Sequence, residues 1–244
     1  MKAVEFLNHS KKIEHIIKGF TLTRSLFVSS LLVGEKYTGK RVLIKTLFPN
    51  TISVDASKKE ELLLALKNNN EIIIYNFEKL INFEDLSFEN KRIIAIANPI
   101  NNSIKIEKKF AFIYKMPNLE EREDLDKLIE FFQNQIEQEL MVESSIELDK
   151  DNLDLSLNMK SLKASIYKQL MSKTLTAQEI EDILFEYLLK NIDGNNAYRD
   201  NLYLFEKPLI KAGLQTYKSQ LKLSKVLGLN RNTLRKKIQE HELN

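Results

Sequence analysis

Arg231, Arg235, Lys236 and Lys237 crowd into the run LGLNRNTLRKKI, residues 227–238. Asn230, Asn232 and Thr233 stand among them, and Lys222 and Lys225 precede them. Guanidinium, ammonium, amide and hydroxyl donors at this density suit phosphate oxygens first, and base edges in a DNA major groove second. From Lys207 to Lys237 no Asp or Glu interrupts the basic series, as expected where the partner is a polyanion. The bland alternative is a solvated basic helix.

The elements that must position these side chains are legible nearby. Leu221, Leu223, Val226 and Leu227 predict a short first helix; Gly228 frees the backbone to leave it, and Asn230 can cap a second. Leu227, Leu229, Leu234 and Ile238 form an apolar stripe that turns inward, leaving Asn232, Thr233, Lys236 and Lys237 outward. This is a helix-turn-helix pattern. The segment from Phe205 onward resembles the DNA-binding end of the Fis family, and LGLNRNTLRKKI is similar to that family's turn and recognition helix nearly position for position. The resemblance implies a homodimer that sets two recognition helices about 34 Å apart on duplex DNA. The pairing segment would be residues 198–215, where Leu202, Phe205, Leu209, Ile210 and Leu214 give an apolar face. One departure is Tyr217-Lys218-Ser219, where many relatives have a Gly-rich connection.

A second group with chemical capacity is Gly34-Glu35-Lys36-Tyr37-Thr38-Gly39-Lys40-Arg41. It matches the phosphate-cradling G-x-x-x-x-G-K loop, between a predicted strand and helix, up to its last position. There a Ser or Thr hydroxyl would hold Mg²⁺, but the residue is Arg41. The next core strand ends in Tyr75-Asn76-Phe77 rather than in a carboxylate, with Glu78 beyond the expected point. Gly34, Thr38, Gly39, Lys40 and Arg41 could still cradle an anion without metal, or the loop could be a fold element with nothing bound.

Five apolar runs, at 30–33, 51–54, 72–75, 93–96 and 110–114, alternate with helical stretches such as 40–48 and 58–67. The order predicts a mostly parallel sheet, its strands buried on both faces. Residues 1 to about 171 resemble the AAA+ domain of sigma-54-dependent activators, which commonly carry a Fis-type domain at the C-terminus. The match rests on the leading segment 6–27, LLVGEKYTGK, the strand IIAIAN ending at the sensor-like Asn98, the linker MPNLEEREDLDKLIEFF, and residues 158–164, where Lys160 replaces a nucleotide-sensing Arg. The resemblance implies an α/β P-loop sheet with a helical lid, followed by an all-α Fis-type domain. Boundaries are expected at 1–118 for the core, 119–174 for the lid, 175–196 for a connecting helix and linker, and 197–244 for the DNA-binding and dimerisation domain. Three departures matter. Residues 40–75 hold no sigma-54 contact loop, 105–110 offer lysines in place of arginine fingers, and the magnesium ligands are missing. Arg122 and Asp124 are expected to organise the lid linker.

Composition narrows the remaining classes. The 244-residue chain has no Cys, which excludes disulfides and thiolate chemistry, and its three His are too scattered for a metal cluster. No apolar run approaches the roughly 20 residues of a membrane span. A signal-peptide pattern is missing from the N-terminus, so a cytoplasmic, nucleoid-associated protein is expected. Thr176-Ala177-Gln178-Glu179 reads as a capping box opening a helix to Lys190, with Ile180, Ile183, Leu184, Tyr187 and Leu188 on one face. The leading expectation is a dimeric, DNA-binding transcriptional regulator, not an enzyme, whose AAA+-like domain is a scaffold or docks another regulatory protein. A nucleotide-switched regulator binding ATP or ADP at Gly34, Thr38, Gly39, Lys40, Arg41, Asn98 and Lys160, and a DNA-bending nucleoid protein, are the alternatives.

Overall fold

The computed structural model describes residues 10–80, 86–99, 108–142 and 146–243. Residues 6–9 of the leading segment and 105–107 of the lysine-bearing stretch lie outside them. The chain divides into two units, Met1–Thr174 and Leu175–Asn244.

In the first unit, α1 (Lys11–Leu22) leads into β1 (Ser30–Val33), α2 (Lys40–Leu47), β2 (Ile52–Asp55), α3 (Lys59–Asn68), β3 (Glu71–Tyr75), β4 (Arg92–Ala97) and β5 (Phe112–Lys115). The strands form one parallel sheet in the order β2-β3-β4-β1-β5. Alternate residues of the central strands face opposite cores. Ile72, Ile74, Ile93 and Ala95 join Leu31, Leu62, Phe77 and Phe110 on one side. Ile73, Ile94 and Ile96 join Ile13, Phe20, Leu32, Leu43 and Ile44 on the other. Both faces are covered, which is why β3 and β4 read as unbroken apolar runs. The edges differ from that expectation: Ile52 of β2 and Phe112 and Ile113 of β5 are exposed, because an edge strand has less helix above and below it.

Parallel strands place all their C-terminal ends along one side of the sheet, and the loops after β1, β3 and β4 converge there. Above this rim stands a lid of α4 (Leu125–Leu140) and α5 (Met159–Thr174), closed on Leu128, Phe132, Ile136, Leu162, Ile166 and Leu170. The linker into it is pinned by a buried bidentate pair, Arg122 Nε to Asp124 Oδ1 at 2.9 Å and Nη2 to Oδ2 at 2.6 Å.

The second unit is all helical: α6 (Ala177–Asn191), α7 (Ala197–Asn201), α8 (Tyr203–Tyr217), α9 (Gln220–Val226) and α10 (Arg231–Glu240). Thr176 and Glu179 form the reciprocal capping box that starts α6. Ile180, Ile183, Leu184 and Tyr187 of that helix are exposed. Among the described residues, no helix is long and apolar enough to cross a membrane.

Candidate nucleic-acid interface and phosphate loop

The C-terminal helices close around Ile210, Leu223, Leu234 and Ile238, with Leu214, Leu227, Leu229 and Leu243 at the margin. Ser219 caps α9 by accepting from the Lys222 amide, and Asn230 caps α10 by accepting from the Asn232 amide at 2.9 Å. Between them the chain turns at Gly228, whose φ of 64° is open to glycine without strain. Burying Leu234 and Ile238 fixes the rotation of α10, so Arg231, Asn232, Thr233, Arg235 and Lys236 are exposed, with Lys222, Lys225 and Asn230 exposed before them.

Two readings of this region are corrected. Lys237 does not stand free with the other cations: its ammonium pairs with Glu206 of α8, whose second oxygen lies 3.4 Å from His241 Nε2. Helical geometry places positions 234, 237, 238 and 241 along one side, so the last turn of α10 faces α8. The short first helix forms at Gln220–Val226 as expected, anchored by Leu223, with Leu221 and Val226 more than half exposed on its outer side. Ile210 is 2% exposed and belongs to the core of the unit rather than to an open face, while Leu214 packs against that core and stays partly exposed. Phe205 and Leu209 are exposed as expected, and Leu202 is half-buried.

In the first unit, β1 runs into the glycine loop and α2 begins at Lys40, after Gly39 with φ 95°. Gly34 passes so close to β5 that an added Cβ would stand 2.8 Å from the Met116 carbonyl oxygen. Lys40 is buried and folds back, donating to the Gly34 carbonyl at 2.5 Å, to the Glu35 carbonyl, and to Asn98 Oδ1 at 3.4 Å. Burial pushes its ammonium down to about 8, against the opposing pull of Glu78. Asn98 in turn donates from its side chain to Glu78 Oε1 at 2.6 Å and from its backbone to Oε2 at 3.1 Å. Glu78 therefore belongs to the site, reached through Asn98, although it follows the strand end by three residues.

Arg41 donates from Nη2 to Asn76 Oδ1 at 2.9 Å and lies 4.9 Å from the centre of the Tyr75 ring. Asn76, with φ 54°, donates to Asp55 Oδ2 at 2.5 Å. Asp55 comes from the end of the neighbouring strand β2, and the sequence reading passed over it. The available signal was its place at the C-terminal end of an apolar run, level with Tyr75 in a parallel pair. Asn158 also went unassigned as a single residue. It accepts from the Leu119 amide at 2.9 Å and donates to the Lys36 carbonyl at 3.1 Å, stapling the glycine loop to the lid. Lys160, two residues after it, holds its ammonium 5.2 Å from the Tyr37 ring. Gly39, Lys40, Arg41, Asn98 and Lys160 all line one cleft of about 1200 Å³ between sheet rim and lid.

Residues 202–241 match the model of the family described as bacterial regulatory protein, Fis family. No curated protein matches the sequence. Among solved structures, NtrX from Brucella abortus in complex with ATP is similar at 14% identity and TM-score 0.50, over 95% of this chain and 68% of that one. The complex of the same protein with ADP gives 14% and 0.50 over 96% and 68%, and a third NtrX structure 12% and 0.50 over 98% and 70%. These likenesses concern the fold. The chain, whose fold is similar to that of NtrX, thus joins a parallel α/β unit to a C-terminal helical segment that matches the Fis family.

Proposed function

We propose that this chain is a DNA-binding transcriptional regulator that acts as a homodimer through its C-terminal helices, and that its AAA+-type unit serves as a scaffold or docking platform without hydrolysing ATP. One observation carries the reading. Leu234 and Ile238 lock α10 against the unit while Arg231, Asn232, Thr233, Arg235 and Lys236 stay in solvent, a donor row on a helix stiff enough to enter a major groove. Phe205 and Leu209, exposed on α8, support pairing with a second copy. The lack of hydrolysis is supported by Arg41 at the hydroxyl position of the loop, and by Glu78, whose two oxygens are taken up by Asn98.

Duplex binding by the Arg235→Gln/Lys236→Gln variant, measured beside the wild type over a range of salt concentrations, tests the proposal. Affinity should collapse while the melting temperature holds, and Lys40→Ala should bind DNA as the wild type does. Unchanged affinity in the double variant would sink it. Sedimentation of the free protein tests the dimer, and a monomer at all concentrations would remove that part.

A further inference from the structure

The cleft between the sheet rim and the lid is framed for phosphate, yet its residues do not fit the magnesium ion that the P-loop resemblance implies. Where a hydroxyl would hold the metal, Arg41 places a guanidinium. The strand end that would supply a carboxylate supplies Tyr75 and Asn76. Asp55 is close by, but its oxygens are engaged: Oδ1 accepts from the Ser57 amide at 2.9 Å and the Ser57 hydroxyl at 2.6 Å, and Oδ2 accepts from Asn76. Glu78 is similarly engaged by Asn98. A divalent cation would meet a fixed positive charge and no free carboxylate among these groups.

We propose that this cleft binds a nucleoside polyphosphate without a divalent metal, with Arg41 supplying at the phosphates the positive charge that magnesium supplies elsewhere. Arg41 is already positioned for this: the Asn76 amide holds one side of its guanidinium, and Asp55 holds Asn76. A planar guanidinium so oriented still offers further donors for phosphate oxygens. The charge balance of the cleft agrees. Among the described residues, Lys36, Lys40, Arg41, Lys160 and Lys163 line it against the carboxylates of Glu78 and Glu139. All three acceptors of the buried Lys40 ammonium are uncharged oxygens, from Gly34, Glu35 and Asn98, so an incoming phosphate would give it an anionic partner. At about 1200 Å³ the cleft has room for a nucleotide, and the exposed Tyr37 and half-buried Phe131 provide aromatic surface for a base. The proposal goes beyond the DNA-binding reading and rests on none of its residues.

Titration calorimetry of the full chain with ADP and with ATP, in EDTA and then in millimolar magnesium, is the test. Both nucleotides should bind in EDTA, and magnesium should leave affinity unchanged or weaken it. Arg41→Gln should weaken binding about tenfold or more, the worth of one charge-assisted hydrogen bond. Lys160→Gln, on the exposed lid face, is a second variant should Arg41→Gln melt early, and it too should weaken binding. Absence of heat with either nucleotide in EDTA, tightening by magnesium, or unchanged affinity in both variants would overturn the proposal. Pyrophosphate binding as tightly as ADP would overturn its nucleoside part. DNA affinity of the same preparations is read separately, so either conclusion can fail alone.

Discussion

Glu206 on α8 holds Lys237 of α10 with one carboxylate oxygen and approaches His241 Nε2 at 3.4 Å with the other, tying the last turn of α10 to the helix behind it. The hydrogen bond from Lys237 keeps the Glu206 carboxyl below its ordinary 4.5, opposed by partial burial and helped by His241. A depressed carboxyl contributes stability above its unfolded value, and that contribution disappears as pH falls through the lower, folded value. Glu206→Gln should therefore lower the stability of the C-terminal unit by about 1 kcal/mol at neutral pH and flatten its loss of stability below pH 4.5. Calorimetric melting of wild type and variant from pH 3 to 7 checks both parts. Freed from its carboxylate, Lys237 should also steepen the salt dependence of DNA binding by up to about one ion.

Gly213 of α8 lies directly against Leu223, with Leu223 fully buried among Ile210, Leu234 and Ile238. A methyl group added there has no room until Leu223 moves, and Leu223 is what sets α9 in place. Gly213→Ala is expected to cost about 1–3 kcal/mol through overpacking, despite alanine's better helix propensity. Loss of helical circular dichroism at a lower temperature, together with weaker DNA binding, is the expected result.

Asn158 combines a left-handed backbone, φ 52°, with hydrogen bonds to Leu119 and Lys36. Asn158→Ala removes both bonds and strains the backbone, and should destabilise the first unit by about 2–3 kcal/mol. Asn158→Gly loses the same bonds while relieving the backbone, so it should fall between wild type and alanine. Tryptic cleavage after Lys36 should accelerate in the same order, since the loop loses its tether to the lid.

Lys40 gives a pH signature of the same sign as Glu206 but in an alkaline window. Its ammonium is pushed by burial from 10.5 to about 8, so below the lower value both folded and unfolded chains carry the proton. Across the window between the two values the unfolded chain binds more protons, and stability rises with pH. The rise attributable to Lys40 is on the order of 2 kcal/mol, and Lys40→Met should lack it. Denaturant titrations of both proteins at pH 7.5 and pH 10 measure the difference directly.

The central strands were readable because burial on both faces leaves the sequence little alternative to branched apolar residues: β1 is found at Ser30–Val33 as expected, and β3 and β4 each within one residue at either end. Local chemistry was equally legible where cap and capped amide are near neighbours, as with Thr176 and Glu179 or Asn230 and Asn232. What stayed hidden depends on contacts between distant positions. Glu206 and Lys237 are 31 residues apart, and nothing in a basic helix announces which of its lysines will turn back to a carboxylate. Ile210 reads as part of an exposed stripe because α8 carries apolar residues on two sides, and only packing decides which side α9 and α10 take. Asp55 needed the register of β2 beside β3 before it could be placed next to Asn76.

The chain of contacts from Arg41 through Asn76 to Asp55 makes the absence of a metal ligand set resistant to simple reversal. Changing Arg41 to serine restores a hydroxyl but leaves Tyr75 and Asn76 with no acid between them. Changing Asn76 to aspartate supplies the acid but sets it against Asp55 on one side and a guanidinium on the other, where it would be neutralised before any cation arrived. Each single step is unproductive without its companion, so a lineage or a designer seeking magnesium chemistry here would have to cross an intermediate with neither charge arrangement intact.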